Sequence, residues 1–156
     1  MADGHHELEP GDHFHVGGAA TEYVEVWVLS RSEAADYWGG NELLCEVRLS
    51  VGGFRGKFLA TFQTTKLETF ADEVRTLHKQ LDGSARFDSL HKPLQLVLEG
   101  DGRGHIRCRG QAQGETGTGN YIIKFDLDLD QTQLFGTMTE LAELLNRYPV
   151  RGSPAA

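Results

Sequence analysis

Histidine is the residue type with the clearest chemical potential in this sequence, because neutral imidazole is a common ligand of transition metals. His5, His6, His13 and His15 account for four of the seven histidines. A metal centre holds its ligands in a rigid geometry, however, and the segment 1–22 shows neither the period of a strand nor that of a helix. We therefore interpret residues 1–22 as a flexible, His-rich leader, and we predict no metal site and no cofactor.

Three carboxylates follow one another at a spacing of two: Asp126, Asp128 and Asp130. On one face of a strand, such a row could hold a hard cation or act as general acid and base. Asp130 is better explained as the N-cap of a helix that has Gln133 at its third position. We predict that Asp126 and Asp128 face solvent, pair with arginines of the neighbouring strand and contribute to contact with a partner.

Enzymatic chemistry finds no support in the remaining motifs. The glycine-rich segments 100–104 and 117–119 each lead into a strand pattern, whereas a dinucleotide-binding loop must lead into a helix. Cys45 and Cys108 fall on the apolar phase of alternating segments, which is typical of reduced, buried thiols. No G-x-S-x-G elbow is present. The sequence therefore predicts a protein that is not an enzyme.

Aromatic and charged side chains in the first third of the chain are the best candidates for a binding surface. Tyr37 and Trp38 precede two glycines in a loop, where exposed rings suit a partner contact; the alternative is that they cover an edge of the core. Trp27 belongs to a strand whose phase stays open, because either its valines or its aromatic residues could face the core. Glu46 and Arg48 occupy the polar phase of the next strand. All five are predicted partner contacts.

Alternating apolar and polar residues predict the strands, and apolar residues at helical spacing predict two helices. The first helix follows a capping box at Thr65 and Glu68 and closes near Gly83; the second follows Asp130 and ends before Pro149. The predicted strands span 23–30, 43–51, 54–62, 94–100, 105–113 and 121–129, with 85–90 as a further candidate.

One-sided alternation in every clear strand indicates antiparallel pairing with one face on the core. The sequence therefore predicts an α+β fold: a two-layer, mostly antiparallel six- to seven-stranded sheet with two amphipathic helices packed on one face. A single domain is expected over 23–151, and residues 152–156 are expected to form a frayed tail. The two halves of this domain share an order of strands followed by a helix.

Charge narrows the class of partner. The chain has 156 residues, with 15 Lys and Arg against 23 Asp and Glu, and a net charge of −8. This balance disfavours binding to nucleic acid or to an anionic membrane and favours a basic protein. There is no secretory signal pattern and no run of apolar residues long enough to span a membrane, so we expect a cytoplasmic protein. The oligomeric state stays open.

The closing segment carries a family resemblance. The sequence FDLDLDQTQL at 125–134, followed by a leucine-rich helix and RYPV at 147–150, resembles the WapI-type immunity proteins, a family of small bacterial proteins. The resemblance covers about residues 23–151 and includes YWGGNEL at 37–43, a long hairpin ending in the helix led by Leu67, and LQLVLEG at 94–100.

The resemblance implies a non-enzymatic protein that neutralises a polymorphic toxin by direct binding. It supplies no catalytic residues to transfer to this chain. An acidic surface suits a basic toxin, because complementary charge speeds encounter and sets register. The alternative function is a small-molecule-binding or regulatory module that uses the open face of the sheet.

Overall fold

The structure, a computed structural model, describes residues 12–19, 22–89, 93–116 and 119–154. Within these ranges the chain forms eight strands and three helices. In chain order they are β1 (His13–Ala19), β2 (Glu22–Arg31), α1 (Tyr37–Gly40), β3 (Glu42–Val51), β4 (Phe54–Gln63), α2 (Thr64–Gln80), β5 (Asp82–Asp88), β6 (Leu94–Asp101), β7 (Ile106–Thr116), β8 (Gly119–Leu129) and α3 (Gln131–Arg147).

The strands form two antiparallel four-stranded sheets, in the orders β1-β2-β3-β4 and β5-β6-β7-β8. Each sheet is a meander that is followed by one long helix. The predicted α+β class is confirmed, but the single sheet of six to seven strands and the count of two helices are wrong. Alternation identifies the buried face of each strand, whereas it does not say which strands pair, and α2 separates β4 from β5.

The first strand corrects the prediction of a flexible leader. Residues 13–19 form β1, which pairs antiparallel with β2 through Phe14 opposite Val26 and Val16 opposite Val24. Phe14 and Val16 are fully buried. The flexible leader predicted over 1–22 is therefore wrong for this segment, whose two large apolar residues are too few to reveal a period. His5 and His6 lie outside the described residues.

Both sheets and the two long helices, α2 and α3, enclose one core. Phe87 of β5 lies at its centre, with its ring centroid 5.2 Å from that of Phe62 on β4 and 5.6 Å from that of Phe70 on α2. Both pairs are edge-to-face, an arrangement that aromatic rings favour. Phe14 of β1 lies 6.3 Å from the same ring. The two meanders therefore share one aromatic cluster and do not bury separate cores.

The structure shows which side chains of β2 face the core. Val24, Val26 and Val28 are buried in the core, so Tyr23 and Trp27 lie on the outer face of the first sheet. Among the predicted features of the core, the two thiols are confirmed as free and buried in β3 and β7.

Helix α2 begins before the predicted capping box. Gln63 occupies the cap position without a side-chain hydrogen bond, and Thr64 is the first helical residue. The Thr64 hydroxyl donates to the backbone carbonyl of Asn41 at 3.1 Å. This buried tertiary contact, rather than a cap at Thr65, sets the start of the helix. The helix ends at Gln80, and Leu81 takes the C-cap position with a φ of 64°, where the sequence predicted a glycine.

Helix α3 has the predicted capping box. The Gln133 amide donates to Asp130 Oδ1 at 2.8 Å, and the Asp130 amide donates to Gln133 Oε1 at 2.9 Å. The helix packs against β1, where the Thr137 hydroxyl donates to the His15 carbonyl at 2.7 Å. The last helix thereby covers the first strand. Across the described ranges, no helix combines the length and hydropathy needed to cross a bilayer.

Candidate functional site

The outer face of the first sheet gathers three of the predicted contact residues. Trp27 on β2 lies opposite Glu46 on β3, and Glu46 lies opposite Leu59 on β4. One step along the strands, Arg48 lies opposite Lys57. Because side chains two residues apart share a face, these five form one surface, which we call the first-sheet surface.

Ion pairs and an aromatic ring order this surface. Glu46 accepts from Arg48 Nη2 at 3.1 Å, and Lys57 Nζ lies 3.7 Å from its other oxygen. The Arg48 guanidinium lies 5.1 Å from the centroid of the Trp27 ring, within the range of a cation–π interaction. Leu59 is 62% exposed beside these groups. The surface therefore offers charged and apolar contact groups that are already held in place.

Tyr37 and Trp38 lie in α1, beyond the Arg31 end of β2. Asp36 caps this short helix by accepting from the Gly39 amide at 2.8 Å. The two rings are edge-to-face at 4.9 Å, and Trp38 is 60% exposed. Of the two alternatives, Trp38 takes the exposed one, and the predicted loop at this position is a short helix.

Asp126 and Asp128 lie on the outer face of the second sheet. Arg107 Nη2 lies 3.2 Å from Asp126 Oδ2, and His105 Nε2 lies 3.2 Å from Asp128 Oδ1. The predicted pairing with an arginine of the neighbouring strand is confirmed for Asp126, whereas Asp128 contacts His105 instead. All four side chains are more than half exposed, and exposed pairs of this kind add little stability.

The structure adds three residues that sequence reasoning missed as a group. His13 and His15 project from β1 toward Glu140 on α3, with His13 Nε2 2.7 Å from Glu140 Oε2 and His15 Nδ1 in contact with Glu140 Oε1. The His13 ring also stacks on Trp27, with centroids 4.0 Å apart. The spacing His-x-His was the available signal, because it places both rings on one face of a strand.

The side chains of this group influence one another's ionisation. Burial opposes ionisation of Glu140, but hydrogen bonds and charge from His13 and His15 outweigh it and hold the pKa of Glu140 at about 2. The hydrogen bond between His15 and Glu140 raises the pKa of His15, although burial acts in the opposite direction. Donor atoms of the three side chains lie within 4.8 Å of one another, so this group could hold a metal ion.

The fold is that of a small two-sheet α+β protein whose outer sheet faces present charged and aromatic side chains. The chain belongs to the WapI-like immunity protein family, since the model of that family matches residues 15–149. The resemblance seen in the sequence is confirmed, and the matched segment includes most of β1. Comparisons with curated proteins and with solved structures gave no match.

Proposed function

We propose that this protein is an immunity protein that neutralises a cognate bacterial toxin by binding it directly, without catalysis. The observation that carries the proposal is the family match over residues 15–149, which includes most of the first strand, all the other strands and the three helices. The chain acts in the cytoplasm, where its two free, buried cysteines stay reduced.

The first-sheet surface is the proposed centre of the toxin contact. Tryptophan and arginine are enriched among residues that dominate binding energy. Here Arg48 is already held by Glu46 and by the Trp27 ring, so binding would immobilise few additional side chains. Leu59 supplies an exposed apolar group on the same face, opposite Glu46. The further proposed contacts are Tyr37, Trp38, Asp126 and Asp128.

The toxin is proposed to be basic. The net charge of −8 would attract a positively charged partner and raise the rate of encounter at low ionic strength. The same charge makes nucleic acid and anionic membranes unsuitable partners. Salt should therefore slow association with the toxin more than it speeds dissociation.

Co-expression with the products of adjacent genes tests this function. The proposal expects one neighbouring toxin domain to stop growth alone, and the full chain to restore growth and co-purify with it in a one-to-one complex. Absence of both rescue and co-purification with every adjacent product would overturn the proposal.

Two charge reversals locate the contact. We expect R48E to weaken toxin binding about 100-fold, the scale of a residue that dominates an interface. The matched control is R75E on α2. Like R48E, it breaks an arginine–carboxylate pair, because Arg75 pairs with Asp72. R75E should change affinity less than about twofold, because single exposed charges contribute little. Equal effects of the two variants would exclude the first-sheet surface.

A surface pocket of about 490 Å³ on the second sheet favours a second candidate function, which is binding of a small molecule. Its polar lining consists of Arg109, Lys124, Asp126, Gln95 and Gln111, which suit a polar, amide-bearing ligand. A thermal-shift screen of metabolites against the full chain would detect such binding, because a ligand specific to the folded state stabilises it.

A further inference from the structure

Strand β1 and helix α3 meet at a cluster of titratable side chains that the proposed toxin contact does not include. His13 and His15 point to the same side of β1, and Glu140 reaches both from α3. The Thr137 hydroxyl, one turn before Glu140, donates to the His15 carbonyl at 2.7 Å and sets the position of the helix against the strand. The backbone on both sides of the cluster is therefore held by its own contacts.

The donor set and its spacing match a transition metal. Two imidazole nitrogens and one carboxylate oxygen form the three-ligand set that zinc uses where a fourth position is left for water. With bonds of about 2.0–2.1 Å, tetrahedral ligand atoms lie about 3.4 Å apart. The donor atoms here lie within 4.8 Å of one another, so small adjustments of the three side chains would bring them to that spacing. We propose that His13, His15 and Glu140 bind Zn²⁺, with water as the fourth ligand.

An ordinary ion pair explains the cluster less well. Two imidazoles converge on a single carboxylate, and His13 Nδ1 is buried without a hydrogen-bond partner among the described residues. By contrast, the pair of His105 and Asp128 has one imidazole and is 56% and 77% exposed. The three proposed ligands are only 19–32% exposed, so bound metal would be partly shielded from water yet reachable.

Two neighbours support the same assignment. The Trp27 ring lies parallel to His13 at an interplanar angle of 11°, which restricts the imidazole to one orientation. Glu25 lies opposite His15 in the β1–β2 pairing and adds negative charge beside the cluster. A bound ion would connect β1 to α3 and stabilise the attachment of the first strand.

Isothermal titration of the EDTA-treated full chain with ZnCl₂ at pH 7.5 tests the site. We expect one Zn²⁺ per chain, no response to Mg²⁺, and a rise in Tm of about 5–10 °C at a Zn²⁺ concentration 100-fold above Kd. Co²⁺ should give the visible absorption bands of a four-coordinate ion, a signature that a general effect on stability cannot produce. Trp27 fluorescence should respond, since that ring touches a ligand.

Variants separate this site from the other histidines. E140Q and H15Q should each weaken Zn²⁺ binding at least 100-fold, whereas H105N should leave it unchanged. The double variant H5Q/H6Q should also retain binding, because those residues are not ligands in the proposal. If either ligand variant fails to fold, H13Q provides the same test from β1. Absence of Zn²⁺ binding, or binding lost in H5Q/H6Q and kept in E140Q, would overturn the proposal.

Discussion

The two halves of this molecule have the same architecture and different outer faces. Each half is a four-stranded meander followed by a long helix, and each has one buried cysteine in its third strand. The first sheet carries a connected group in which Arg48 contacts both Glu46 and Trp27, and Trp27 stacks on His13. The second sheet carries separate, exposed ion pairs.

This difference shows that a shared fold leaves the solvent-facing residues free to diverge. The buried phase of every strand must satisfy the common core, whereas the outer phase contributes little to stability and can acquire a binding role. A connected group of partly buried side chains has a defined geometry, while solvated pairs move independently. The first sheet is therefore the more suitable half for recognition.

The largest expected effect concerns the chemical reactivity of the buried cysteine thiols, one of which lies in each half. Burial raises the pKa of Cys45 and of Cys108 to about 12, and Asp126 adds to the effect at Cys108. At pH 8, reaction with a disulfide reagent should be about 1,000-fold slower in the folded chain than after unfolding in urea, because the thiolate is the reactive form. Rapid reaction of one thiol would show that its half opens independently.

The sign of the associated pH dependence follows from the same pKa values. The folded chain holds these protons more tightly than the unfolded chain, whose thiols have the ordinary pKa of 9.0. The contribution of the thiols to stability is therefore complete below about pH 9 and declines as pH rises toward 12. The C45A/C108A variant should lose this part of the alkaline decline.

The next largest effect tests whether the halves unfold together. Phe87 belongs to the second half and contacts Phe14 and Phe62 of the first. F87A should reduce the free energy of unfolding by about 3–5 kcal/mol in a single urea transition. F54A is the matched control, since Phe54 is 74% exposed, and should change stability by less than about 0.5 kcal/mol. Two separate transitions in F87A would contradict a shared core.

Two glycines, one in each sheet, differ in how closely neighbouring atoms surround them. A Cβ added at Gly110 on β7 would lie 2.2 Å from the Phe125 ring, whereas one added at Gly56 on β4 would meet no atom within 4 Å. G110A should therefore destabilise the protein by about 1–3 kcal/mol through overpacking. G56A should change stability by less than about 0.5 kcal/mol. Similar unfolding midpoints for both variants would refute this contrast.

The smallest expected effect measures the contrast between the outer faces directly. R48A removes a cation–π contact and an ion pair to a largely buried carboxylate, so we expect a loss of about 1–2 kcal/mol. R107A removes one exposed pair to Asp126 and should cost less than about 0.5 kcal/mol. Equal losses in urea titrations would mean that the group on the first sheet is no more ordered than the pairs on the second.

The sequence predicted well wherever the signal was local and repeated. The strands β3, β4 and β6 to β8 follow clear alternation, and the cap of α3 is set by Asp130 and Gln133, three residues apart. The start of α2 was missed because it depends on Asn41, which lies 23 residues before Thr64. No pattern within the helix itself contains that contact.

The candidate site was predicted in pieces. Glu46 and Arg48 share one strand, so their common face followed from parity, but the addition of Trp27 required the phase of β2. That phase was ambiguous because both sets of residues in β2 are apolar enough to face a core. The cluster of His13, His15 and Glu140 joins residues about 125 positions apart, a distance over which periodicity carries no information.

By itself, the sequence determined the α+β class, the buried phase of the clear strands, the reduced thiols and the family. These properties depend on residue type and short spacing, which act within a few residues of the chain. Only the tertiary structure decided that the strands divide into two sheets, that β1 completes the first of them, and that a helix from the other end of the chain brings Glu140 to two histidines. Those outcomes depend on contacts between residues that are far apart in the sequence. The same local patterns are compatible with several arrangements of such contacts.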